Sequence, residues 1–360
     1  MRTPILLQAA RLLTAAMLST LALAAPAGAQ APADWSNVPV THVEIPIPAG
    51  APPYGSNIID IDQAAHRLYA GDRALGGIDI FDISGPIARY ITTVPTSAGA
   101  NGVSVGASVH RVYAGLDDSE VAIIDTDPSS KTYNSLLASP NTGGTARADE
   151  MDFDPVEMKL YVANASDGFV SVIDGHTDQI IKQIGNLGPA LEQPRYNPAD
   201  GMMYLVGNGL DVIYKFDPRA DVLVDTYDIV DPCAPNGLAI NPNTNQALLG
   251  CSGGAAYPHA AVWDFASERV VQVLQDAGRG NTSIYDPTVD HFFFSARNND
   301  DPNQPATAIY SGGAPVRFLG EVPAGKFGGA SVAFDETNRI VYVHDIRPGL
   351  VGLSSFPLPG

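Results

Sequence analysis

Cysteine is almost absent, with two in 360 residues. They lie too far apart for a Cys-x-x-Cys-His motif, so covalent c-type haem attachment is excluded. No His-x-x-x-His pair offers a zinc-binding helix face, and no Gly-rich loop runs into a helix to cradle a phosphate. Basic residues are also scarce. Twenty Lys and Arg stand against 39 Asp and Glu, a formal charge of −19. Such a chain repels phosphate backbones, which argues against nucleic acid and anionic membrane surfaces as partners. Beyond residue 25 no apolar run is long enough to span a bilayer.

The early residues carry a different signal. Arg2 and Arg11 give a positive start, Leu12 to Ala25 form an apolar run, and Ala27-Gly28-Ala29 fits small-x-small cleavage. Residues 1–29 are therefore expected to be a cleaved export segment, with 30–40 a flexible tether and 41–360 one domain. A periplasmic or secreted location follows. Without Arg2 and Arg11 the balance is 18 basic to 39 acidic residues.

What is present is a repeat. Lys159 to Ile184 reads as three short strands, Leu160–Val162, Phe169–Asp174 and Gln179–Ile184, separated by turns rich in Asn, Asp and Gly. Met151–Phe153 supplies a fourth strand ahead of them. The same order recurs along the chain. Second-strand anchors fall at Tyr69, Tyr113, Tyr161, Tyr204, Leu248, Phe293 and Tyr342, spaced 43 to 49 residues apart. Four strands per unit at that period is the pattern of a β-propeller. The expected fold is all-β, a seven-bladed β-propeller of four-stranded antiparallel blades. A β-sandwich does not require one order of strands and turns seven times over.

Tyr161-Val162-Ala163-Asn164, followed by Val170-Ser171-Val172-Ile173-Asp174, resembles the YVTN-repeat family of β-propellers, with Ala163 at the family's Thr. The likeness is strongest in the third unit and weak in the fifth and sixth. It implies the fold and says little of function, since one fold hosts many activities.

The seventh unit has three strands, 330–334, 340–344 and 350–356, and then stops. Thr41 to Pro48 (THVEIPIP) alternates at strand period and carries Pro46, which suits an edge. The amino-terminal segment 41–48 is therefore expected to complete the last blade. Cys233 and Cys251 flank the hairpin around Asn241–Asn245. Pairing Ile240 with Gln246 sets the two cysteines nearly opposite, and in an exported chain that favours a disulfide.

In a four-stranded blade the innermost strand lines the central channel, and loops on one face collect at its mouth. Entering the inner strands are Asn57, Asn101, Asp149, Glu150, Glu192, Gln193, Asn236, Asn281 and Ser283. Second-to-third-strand loops add Asp72, Arg73, Asp117, Asp118, Asn164, Asp167, Asn208, His259, Arg297, Asn298 and His344. Most Asn and Asp before strands are ordinary turn formers. Glu150 and Glu192 are not, and they face one channel from adjacent blades. With Asn101 and Asn236 they form an oxygen-rich candidate site for a divalent cation such as calcium. By analogy with lactone-hydrolysing propellers, the ion would polarise a carbonyl while Glu150, Glu192 or His259 moved a proton. Asn57, Asn101, Asn236, Asn281, Arg297 and His344 are candidate binding residues. Gly102-Val103-Ser104-Val105-Gly106 matches a nucleophile elbow, but it sits along an alternating strand and not at a strand-to-helix turn. Long polar loops at Ser252–His259 and Arg297–Ala306 are further places for specificity.

Three functions fit these features. The first is an exported binding or scaffold protein using the channel mouth for a small ligand or a protein partner. The second is a metal-assisted lactonase-like hydrolase or lyase. The third is the heavy subunit of a periplasmic quinoprotein amine dehydrogenase, whose cofactor resides in a partner subunit.

Overall fold

The computed structural model describes residues 35–46, 56–230, 233–253, 259–278, 280–298, 305–324, 331–345 and 352–359. Seven antiparallel sheets stand in a ring. Their inner strands are Ser56–Asp62, Ala100–Gly106, Met151–Asp154, Leu191–Asn197, Pro235–Asn241, Ser283–Asp286 and Val332–Asp335. Each lies beside the inner strand of the next blade, and the seventh returns to the first. Blade six adds a short piece, Ala277–Gly278, on the same second strand.

A local device repeats with the blades. Asp62, Asp154, Asn197, Asn241, Asp286 and Asp335 each end an inner strand and accept backbone N–H bonds from the turn that follows. Blade two replaces this with the short 3-10 turn Ala107–Val109. A left-handed residue then immediately precedes the second strand in every blade: His66, His110, Met158, Gly201, Asn245, Asp290 and Arg339. His66 and His110 are thus turn residues, on the face away from the channel-mouth loops.

Second strands carry the anchors, and five of them, Tyr69, Tyr113, Tyr161, Tyr204 and Tyr342, are almost wholly buried tyrosines. These strands are apolar on both faces because a neighbouring blade packs against each. Leu160, Tyr161, Val162 and Ala163 are all fully buried, whereas the outer strand Gln179–Ile184 is mostly exposed. The clusters that form the core are shared between adjacent blades. One joins Leu68 and Phe81 of blade one to Tyr342 and Leu353 of blade seven, which closes the ring by burial.

Blade seven is completed by Thr41–Glu44, antiparallel to Gly352–Pro357, with Thr41 opposite Ser355 and Glu44 opposite Gly352. The strand is shorter than expected. It ends before Pro46, which has no N–H for the ladder, and residues 47 and 48 lie outside the described residues. In the stretch expected as a tether, Trp35–Asn37 forms a 3-10 turn and Trp35 is buried among Phe293, Ile309 and Val322 of blade six. A Cβ at Gly320 would stand 1.9 Å from its indole, so the missing side chain makes room for the ring.

Cys233 and Cys251 form a disulfide with Cα atoms 4.5 Å apart. The register differs by one from expectation. Ile240 faces Ala247, and an irregularity between Pro235 and Gly237 then brings Pro235 opposite Cys251. Similar irregularities interrupt the inner strands of blades one, two and four near the same end.

Candidate functional site

A cavity of about 370 Å³ runs along the channel, lined from the inner strands of all seven blades. Three of its charged groups come from one repeated position. Asp60, Asp152 and Arg195 each stand directly opposite a second-strand anchor, respectively Tyr69, Tyr161 and Tyr204. Ala239, Ile284 and Ala333 hold the same position in blades five to seven, opposite Leu248, Phe293 and Tyr342, and all three line the cavity. The ring is therefore charged on one side and apolar on the other.

Each carboxylate is tied to a neighbouring strand. Asp60 accepts the N–H of Ile61 at 2.8 Å and that of Val105, in blade two, also at 2.8 Å. Asp152 accepts the N–H of Tyr196, in blade four, at 2.7 Å. Although both face the cavity, protein surrounds them, and desolvation lifts Asp60 to about 6 against those two stabilising bonds. Desolvation raises Asp152 as well, with Arg195 opposing it.

Arg195 donates to the carbonyl oxygens of Pro194 at 2.9 Å and Ser283 at 3.3 Å. Beside it the buried Gln193 straps three blades together. Its Oε1 accepts from Leu238 N at 2.6 Å and Ser283 N at 3.2 Å, and its Nε2 donates to Ser283 O at 3.1 Å. Both side chains line the cavity.

Of the residues expected from sequence, Gln193 lines this cavity, and so does Glu150. Its backbone still pairs with Ala163, which sets it at the head of the inner strand of blade three. Burial first, then repulsion from Glu192 and Asp149, holds its carboxyl well above the ordinary range. Glu192 of blade four is pushed to about 8 by burial and by Asp149. Asp149 is itself paired to Arg147, Nε to Oδ2 at 2.7 Å. The structure thus brings Glu150 and Glu192 together as repelling neighbours.

Apart from Gln193, the other candidates whose side chains are described do not line the cavity. Asn101 is fully buried and donates to Asp117 Oδ1 at 3.1 Å and Gly99 O at 3.3 Å. The Oδ1 of Asn236 accepts from Asn208 at 2.8 Å. His259 is buried at the head of the third strand of blade five, opposite Cys251. His344 is buried in the second strand of blade seven, opposite Leu353. Asn281 is half-buried and bonds Ser295 through its backbone. The side chains of Asn57 and Arg297, and most of the two long loops, lie outside the described residues. Among the described residues no three His, Cys, Asp or Glu side chains are grouped to hold a metal.

Asp60, Asp152 and Arg195 were missed by attention to loops. The signal was available: an ionisable residue in mid-strand, opposite an anchor tyrosine, in runs such as Ile58-Ile59-Asp60-Ile61.

No protein-family model and no curated protein sequence matches the chain. Solved structures do. A chain of the mitotic checkpoint complex aligns with a TM-score of 0.69 at 15% identity, covering 96% of this chain and 99% of that one. The WD40 repeats of RRP9 align at 0.68 and 10% identity, covering 85% and 95%. Hydrazine synthase of Kuenenia stuttgartiensis aligns at 0.56 and 17%, covering 68% and 72%. Likeness at this level of identity is likeness of fold. Among the described residues no helix is long and apolar enough to cross a membrane.

Proposed function

We propose that this is an exported binding protein of the YVTN-repeat kind, whose channel takes up a small molecule. The observation that carries the reading is the cavity of about 370 Å³ with Asp60, Asp152 and Arg195 converging on it from separate blades. That volume is at the small end of ligand pockets, and its few polar groups in an apolar wall match how such pockets fix orientation. Export is part of the reading. It is supported by the positive and apolar start of the chain and by the Cys233–Cys251 disulfide.

A metal-assisted hydrolase centred on Glu150 and Glu192 draws on their mutual repulsion, which a cation would relieve. The Oδ1 of Asn236 already accepts from Asn208, and neither Asn236 nor Asn101, whose amide nitrogen donates to Asp117, lines the cavity beside Glu150, which weighs against the expected ligand set. The binding reading is therefore preferred.

The test is retention of small molecules. The purified protein, exposed to an extract of its native host and washed, should release specific compounds on denaturation, read by mass spectrometry. Val103→Phe or Ala333→Phe, which fill the cavity, should abolish retention while circular dichroism stays unchanged. Equal retention by both folded variants would overturn the reading.

A further inference from the structure

We infer that the ligand of the channel is a small organic cation, an ammonium group on an apolar body, held with its charge against Asp60 and Asp152. This rests on the proposed binding role and adds the chemical class of the ligand.

The charge of the lining decides the sign. Asp60 and Asp152 line the cavity wall, and Asp286 and Glu336 line it at and just beyond the ends of inner strands. Among the described residues Arg195 is the one basic residue of the lining. It attracts both aspartates, yet among the described residues neither is ion-paired with a Lys or Arg within 4.0 Å. The backbone bonds to Asp60 and Asp152 fix where the carboxylates stand and leave acceptor capacity on each, since an ionised carboxylate has about four lone-pair sites. A cation placed between them gains more than it would in water, because the surrounding medium screens less.

The walls decide the body. Ile58, Ile61, Val103, Ile240 and Phe334 present hydrocarbon to the same space. A calcium ion wants six to eight oxygens around it, and among the described residues no three His, Cys, Asp or Glu side chains are grouped to hold a metal. A hydrocarbon chain or ring bearing one positive group satisfies both surfaces at once. The formal charge of −19 on the chain also concentrates cations near it at low ionic strength.

Isothermal titration with n-butylammonium, pentan-1-ol and pentanoate, close in size and differing in charge, tests the inference at pH 8. Butylammonium should bind at least tenfold more tightly than the alcohol, with pentanoate weakest. Asp60→Asn with Asp152→Asn should remove that preference, leaving amine and alcohol alike. Each single variant serves if the double one fails to fold. Three results would overturn the inference: the alcohol or pentanoate binding as well as the amine, no binding by any probe, or displacement of the amine by millimolar calcium. The extract experiment is independent of these probes. Cavity-dependent retention of neutral or anionic compounds would keep the binding role and discard the cation.

Discussion

The carboxylate of Asp60 accepts the backbone N–H of Val105 at 2.8 Å, so an acid of the first blade is fastened to the inner strand of the second. Asp152 does the same for Tyr196, between the third blade and the fourth. Both acids face the channel, and their bonds to neighbouring blades make the site part of the ring's own structure.

Stability should fall as pH rises toward neutrality. Asp60 and Glu192 have folded values of about 6 and about 8, against ordinary values of 3.8 and 4.5. Across that window the folded chain holds more protons than the unfolded one, so raising the pH favours unfolding. Below it, acids such as Asp125, Asp167 and Asp174 are held under their ordinary value, and the stability they give is lost as pH drops through their folded values. The melting temperature should therefore peak near pH 4–5 and decline by a few °C toward pH 8. Asp60→Asn should raise it at pH 8 and flatten the slope around pH 6. Scanning fluorimetry across pH checks this, and a rise from pH 5 to 8 would contradict it.

Replacing Gln193 with Leu should cost about 2–4 kcal/mol, because the N–H groups of Leu238 and Ser283 lose a buried acceptor. Urea unfolding measures it. A change within about 0.5 kcal/mol would show that water takes over the bonds.

Gly352→Ala should loosen the closing strand. Gly352 has φ of +147°, and a Cβ there would lie 2.1 Å from the carbonyl oxygen of Val43. A loss on the order of 1–3 kcal/mol is expected. Amide hydrogen exchange at residues 41–44 should quicken before that of the other blades. Uniform protection across all seven blades would count against it.

Removing both cysteines as Cys233→Ser and Cys251→Ser should lower stability by about 3 kcal/mol, the value for a short closed loop. Their sequence separation is 18. An unchanged urea midpoint in the double variant would argue that the loop is already ordered in the unfolded chain.

The blades were legible in the sequence because each repeats its own punctuation. An Asp or Asn ends the inner strand, a left-handed residue opens the next, and a buried aromatic or Leu anchors it, as at Asp154, Met158 and Tyr161. Closure by Thr41–Glu44 was legible because the last unit lacked a strand. The site was read less well. Irregularities such as those between Ser56 and Ile59, or Glu192 and Arg195, re-aim the residues that enter the inner strands. Counting outward from a loop therefore does not tell which side chain meets the axis. Glu150 was found because an acid there has no turn to form. Asp60 and Arg195 needed the register opposite Tyr69 and Tyr204, and that register is set by pairing across the blade.

The pairing of Thr41 with Ser355 also has a consequence in time. A strand synthesised early has no partner until one made about 310 residues later emerges, and contacts that distant in sequence form slowly. Six sheets can assemble while the seventh still shows an open edge, a template for stray association. Conditions that delay this last step should promote aggregation of the newly made chain more than they disturb the finished molecule.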